Sequence, residues 1–144
     1  MIILDTNVVS EMLRPAPAPA VTDWLAAQSG EMVYLTSVTE AELRHGMAIL
    51  PTGQRRNRLA QAVDLILKED LQGRILPFDS DIAAEYARIA AGRKVAGHPI
   101  SQFDCQIAAI ARVHSATLAT RNVRNFRDTG VEIVDPWQQH DPAG

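Results

Sequence analysis

Apolar residues are spread along the chain in short runs separated by longer amphipathic stretches. Ile2–Leu4, Met32–Thr36, Ile75–Phe78, Thr117–Ala119 and Glu132–Val134 have the length and bounding residues of strands. Between them lie stripes at helical spacing: Leu43, Gly46, Met47 and Leu50; Leu59, Val63, Ile66 and Leu67; Phe103, Ile107, Ile110 and Ala111. Each stripe places its members on one face of a helix, which predicts that face to be buried. Arg14-Pro15-Ala16-Pro17-Ala18-Pro19 cannot continue a helix, because alternate prolines remove amide donors and favour extended backbone. It is read as a break between two helices. Strands alternating with helices imply a parallel sheet covered on both faces. The expected fold class is therefore α/β, a three-layer α/β/α domain with a short, mostly parallel central sheet. In such folds ligands gather outside the carboxyl ends of the strands.

The 144 residues suit a single domain spanning 1–144, which at this size buries about 68–70% of its unfolded surface without disulfides. One cysteine, Cys105, excludes an internal disulfide framework and is read as a small buried hydrophobe in a reducing compartment. Only four residues precede Asp5, far short of the ~18 apolar residues of a membrane span, so a cytoplasmic location is expected. The formal net charge of −3 is unusual for a nucleic-acid binder, whose affinity normally rests on basic surface. Either nucleic acid is not the substrate, or clustered carboxylates offset a local basic patch.

The positions of the acidic residues bear on that choice. Asp5 follows the first predicted strand directly. Glu42 lies in Ser37-Val38-Thr39-Glu40-Ala41-Glu42-Leu43 after the second, and Asp104 in Ser101-Gln102-Phe103-Asp104 at the start of a later helix. Each has a simpler reading. Ser37 with Glu40 and Ser101 with Asp104 have capping-box spacing, and Asp5 is a good N-cap. Glu40 is assigned to its cap; Glu42, two residues further on and beside the apolar stripe, has no such role. Three carboxylates at one rim would repel one another, and a divalent cation would resolve that repulsion. Oxygen-only donors suit magnesium, whereas His45, His98, His114 and His140 lack the close spacing of a zinc site. Serine-nucleophile and phosphate-loop signatures are absent. An aspartyl phosphatase would want a second Asp at position 7, which is Asn. Arg121, Arg124 and Arg127, after the fourth strand, are candidates either for phosphate contacts or for a solvated loop; Arg55, Arg56 and Arg58 read as a solvated helix face or one that meets a partner.

Ile3-Leu4-Asp5-Thr6-Asn7-Val8-Val9-Ser10-Glu11 resembles the opening of PIN-domain toxins of the VapC- and FitB-like type. Leu35 to Gly46, Arg74 to Asp79, Asp104 to Ala111 and Leu118 to Phe126, followed by Val134 to Trp137, resemble the same family in the same order across nearly the whole chain. The resemblance implies a Mg2+- or Mn2+-dependent endoribonuclease. It also implies the toxin half of a toxin–antitoxin pair, a homodimer inhibited by a cognate antitoxin and meeting operator DNA only through it. Carried over residue by residue, the catalytic positions are Asp5, Glu42 and Asp104. Asp5 and Asp104 are the expected metal ligands, and Glu42 orients water or acts as base. Thr6, Thr120 and Asn122 support them. The family commonly has a fourth acid where this chain has Asn122 or Asn125, which leaves open a weakly active subunit working mainly within a DNA-binding complex.

Overall fold

The computed structural model describes residues 1–138; the His140 reading lies outside the described residues. Five strands form one parallel sheet in the order β3-β2-β1-β4-β5: β1 Ile2–Leu4, β2 Val33–Thr36, β3 Ile75–Leu76, β4 Thr117–Ala119 and β5 Glu132–Val134. The α-helices are α1 Thr6–Met12, α2 Pro19–Ala26, α3 Ser37–Ala48, α4 Gln54–Leu65, α5 Ser80–Val95 and α6 Gln102–Val113. The three-layer α/β/α architecture is the expected one.

Strand alternation divides the core in two. Ile3 and Leu118 face one apolar cluster, with Ile82 and Ile89 of α5 and Ile107 and Ile110 of α6. Leu4, Val33, Leu35 and Ala119 face the other, with Val8 and Val9 of α1, Val21 of α2 and Val63 of α4. Because successive side chains of a strand point to opposite faces, both faces of so short a sheet must be covered. Cys105 is buried in the first cluster, as read from the sequence.

Several elements depart from the sequence pattern. Met32 belongs to a 3-10 turn, Gly30–Met32, rather than to β2. β3 stops at Leu76 because Pro77 has no amide for the ladder, and the Phe78 N–H donates instead to Ser37 Oγ at 3.2 Å. The N-cap of α3 is Thr36, whose hydroxyl accepts from the Thr39 N–H at 3.1 Å. Ser37 is thus already helical, and Glu40 does not cap; it pairs with Arg44 one turn on, at 2.9 Å. At α6 the Ser101 cap forms as expected, accepting from the Asp104 N–H at 3.2 Å.

The proline segment separates α1 from α2, and Glu11 organises it. Its buried carboxylate accepts from Arg14 Nη1 at 3.2 Å and from the Ala18 N–H, at the otherwise uncapped start of α2, at 3.3 Å. Strand order reverses at β1: chain progress runs outward through β2 and β3, then returns to β4 on the other side. The crevice above the adjacent ends of β1 and β4 is where this topology opens a site.

Candidate active site

Asp5 leaves β1 at that crevice, its N–H donating to Ala119 O of β4 at 2.9 Å. Its carboxylate is only 5% exposed and held from several sides. Oδ1 accepts from the Thr6 N–H at 2.8 Å; Oδ2 accepts from the Thr120 hydroxyl at 2.8 Å and from Asn7 Nδ2 at 3.3 Å. Asp5 is therefore an N-cap of α1 and a wall of the crevice at once. Thr120 in turn accepts from Asn7 Nδ2 and the Asn122 N–H, both at 3.1 Å. The Arg121 N–H donates to Asn7 Oδ1 at 3.2 Å, so Asn7 stitches β1 to the segment after β4.

Glu42 enters from α3. The Thr6 hydroxyl lies 3.2 Å from Glu42 Oε1 and 3.0 Å from the hydroxyl of Thr39, which is fully buried. Thr6 has one proton and the carboxylate is the stronger acceptor, so Thr6 donates to Glu42 and accepts from Thr39. Asp104, half-buried at the first turn of α6, accepts from Asn125 Nδ2 at 3.4 Å.

Asp5, Glu42 and Asp104 line a single cavity of about 530 Å³, together with Thr6, Asn7 and Asn122. Burial pushes the Asp5 carboxyl above its ordinary pKa; the Thr120 and Thr6 hydrogen bonds oppose the shift, and the Asp104 charge adds to it. Glu42 is raised for the same leading reason, opposed by Thr6 and reinforced by Asp5 and Asp104. Each of these two feels the charge of Asp104, so the trio is electrostatically coupled. Among the described residues no three His, Cys, Asp or Glu side chains form a ready cluster for a metal ion. The donor set still suits a hard cation: it is all oxygen, it is like-charged, and magnesium keeps several waters rather than needing a closed protein cage.

Of the other residues singled out from sequence, Arg121 lines the cavity. Arg124 and Arg127 instead line a separate depression beside Arg93 and Asp128. Arg55 and Arg58 border an adjoining groove of about 1010 Å³ between α1, α3 and α4, which shares Thr6, Ser10, Arg14 and Glu42 with the carboxylate cavity. Glu11 also faces the carboxylate cavity, though committed to Arg14 and Ala18.

Sequence reasoning missed Asn7, Thr39, Phe103 and Trp137. Asn7 had a signal, since an amide two residues after Asp5 is well placed for both its carboxylate and a neighbouring strand. Phe103 was placed in the core stripe of α6, but it is 54% exposed and lines the cavity. It sits in the first turn of α6, next to Asp104.

A PIN-domain family model matches residues 2–132. The chain is 41% identical to the VapC ribonuclease Y4jK of Sinorhizobium fredii, over 96% of this chain and 99% of that one. It is 45% identical to the toxin FitB of Neisseria gonorrhoeae, over 95% and 99%. Its fold is similar to a chain in a structure of FitAB bound to an IR36 DNA fragment, with a TM-score of 0.93, 42% identity and 99% of each chain covered.

Proposed function

The chain belongs to the PIN-domain family, among its VapC- and FitB-like members, and from that premise we propose that it is a metal-dependent endoribonuclease toxin held inactive by a cognate antitoxin. The observation that carries this reading is the convergence of Asp5, Glu42 and Asp104, from three separate elements, on one cavity. Clustered carboxylates that raise one another's proton affinity are costly unless they serve a cation or a proton transfer.

Asp5 and Asp104 are the residues that would hold Mg2+ or Mn2+. A bound divalent ion would supply Lewis acidity toward a phosphoryl oxygen and lower the pKa of water near neutrality. Thr120, Asn7 and the Thr6 amide fix the Asp5 carboxylate, so its orientation is set before anything binds. Glu42 has Oε1 engaged by Thr6, leaving Oε2 to take the proton from attacking water. Its raised pKa moves it toward the neutral range where a base works best. Arg121, exposed at the cavity edge, is placed to meet a phosphate of the substrate.

RNA as the substrate is supported by the name of the VapC ribonuclease relative. A partner protein is supported by the FitAB complex, whose DNA fragment fits contact with an operator through the antitoxin. A homodimer belongs to the same proposal and rests on the family resemblance. Among the described residues no helix is long and apolar enough to cross a membrane. The test is cleavage of RNA by the chain freed of its partner, with magnesium or manganese and with excess chelator. Cleavage that needs the metal and disappears in Asp5→Asn is expected. Metal-free cleavage, or none under any divalent ion, overturns the reading.

A further inference from the structure

We propose that Phe103 and the Arg121–Trp137 pair are stacking platforms for unpaired nucleobases flanking the phosphate in the carboxylate cavity. The inference deepens the nuclease reading and rests on it.

Phe103 is the one aromatic among the exposed large hydrophobic residues described, at 54% exposure, and it precedes Asp104 directly. Leaving a phenyl ring in water forfeits the gain of burying it, yet here the ring stands in the wall of a cavity lined by carboxylates. Trp137 lines the same cavity, half-buried. The guanidinium carbon of Arg121 lies 5.0 Å from the centre of the Trp137 ring, a cation–π pair. Nucleobases stack both on aromatic rings and on arginine planes.

The pair is indexed to the carboxylates. The Arg121 N–H donates to Asn7 Oδ1 at 3.2 Å, and Asn7 Nδ2 donates to Asp5 Oδ2 at 3.3 Å. On the other side, the Trp137 N–H donates to Asp135 Oδ1 at 2.9 Å, which fixes the turn after β5. Two aromatic surfaces thus stand at set positions around the site, one beside Asp104 and one tied to Asp5.

Stacking also fits the charge balance of the chain. A chain of net charge −3 with an acidic site gains little from phosphate attraction alone. Stacking adds affinity without charge, tolerates any base, and is available only when bases are splayed from a helix. The site therefore selects single-stranded segments over duplex.

The chain has two tryptophans, so Trp24→Phe leaves Trp137 as its sole indole reporter. In a Trp24→Phe/Asp5→Asn background, short single-stranded RNAs of mixed sequence are expected to quench Trp137 fluorescence, and the same RNAs annealed to their complements to quench it weakly. Phe103→Ala should weaken binding roughly 5- to 150-fold, the range for loss of one stacked base, while Phe103→Tyr keeps it. Should Trp137→Leu lower the melting temperature, Trp137→Phe provides a second reading, since it keeps an aromatic face and should keep RNA binding. In the otherwise native chain, unchanged RNA binding and cleavage by Phe103→Ala and Trp137→Leu would overturn the inference. Loss of affinity only for a partner protein would also overturn it and mark the aromatics as a protein-docking surface. Quenching by RNA without divalent-dependent cleavage would leave stacking standing and remove the nuclease reading; absence of both removes the two together.

Discussion

The Thr120 hydroxyl donates to Asp5 Oδ2 at 2.8 Å across 115 residues of chain, and that bond joins the ends of β4 and β1 at the floor of the site. Thr120 Oγ1 in turn accepts from Asn7 Nδ2 and from the Asn122 N–H. Thr120→Val keeps the shape and removes all three interactions, stranding buried polar groups. A loss of about 1–3 kcal/mol in stability is expected, with cleavage falling well beyond what the unfolded fraction explains. Thr120→Ser should restore both. Chemical denaturation beside a cleavage assay checks this, and a Val variant with native activity would show that Asp5 needs no such anchor.

Asp5→Asn is expected to abolish cleavage and keep the fold. Its effect on stability has a definite sign. Asp5 and Glu42 both have pKa values raised in the folded state, so the native protein favours their protonated forms. Their stabilising share is present below the unfolded carboxylate pKa and is lost as pH rises through the folded one. Without metal, Asp5→Asn should therefore melt higher than the native chain near pH 7, and this advantage should shrink toward about pH 4. Magnesium should raise the melting temperature of the native chain more than that of the variant. A constant difference across the pH range would remove the electrostatic account.

Glu40 and Glu42 show what was legible in the sequence. Periodicity placed the strands to within a residue or two, because both faces of a short parallel sheet must be apolar. The same topology put Asp5 at the end of β1 and Glu42 and Asp104 at the starts of helices that open onto its rim. Periodicity failed at α3, where Thr36 and Ser37 are both capping residues by type and the helix is capped by Thr36. Phe103 fits the stripe of α6 by spacing, but spacing cannot tell that its position opens onto the cavity. Asn7 and Thr39 act through hydrogen bonds to residues 113 and 33 positions away, which no local pattern carries.

From that geometry Glu40→Ala removes only a partly exposed ion pair with Arg44 and should cost about 0.3–0.5 kcal/mol. Activity per folded molecule should be unchanged. Glu42→Ala should eliminate cleavage with little loss of stability, since the carboxylate it removes is repelled by Asp5 and Asp104. Melting curves and initial rates on the same preparations separate the two residues, and the reverse pattern would exchange their roles.

Arg93 is 7% exposed, and its guanidinium donates to backbone carbonyls: His98 O at 2.6 Å, Asn125 O at 2.9 Å and Arg127 O at 2.7 Å. It pins the turn that carries Asn125 to Asp104. Arg93→Met is expected to destabilise by about 3 kcal/mol or more, since it leaves several carbonyls without a donor. Amide exchange in residues 123–127 should rise beyond the global change. If exchange there rises no more than elsewhere, Arg93 supports the whole fold rather than that turn.

The two asparagines at the rim are expected to respond differently to a restored acid. Asn122 lines the cavity and is exposed; its backbone N–H, not its side chain, is the group held by Thr120. Asn122→Asp should therefore leave metal-free stability nearly unchanged while adding a negative charge beside the proposed cation. The gross attraction at 4 Å and an effective dielectric near 20 is about 4 kcal/mol per unit charge. Solvent at an exposed position reduces it to about 1 kcal/mol, a roughly fivefold drop in the magnesium needed for half-maximal cleavage. Asn125 is engaged already, donating Nδ2 to Asp104 Oδ2 at 3.4 Å. Asn125→Asp exchanges that donor for a like charge against Asp104, so the metal-free protein should melt lower and recover as magnesium is added. Magnesium titrations followed by calorimetry, cleavage and melting temperature distinguish the two. If neither substitution shifts the magnesium dependence, three carboxylates saturate the site and the asparagines have no part in holding the ion. If Asn125→Asp alone sharpens it, the missing charge belongs beside Asp104 rather than after β4.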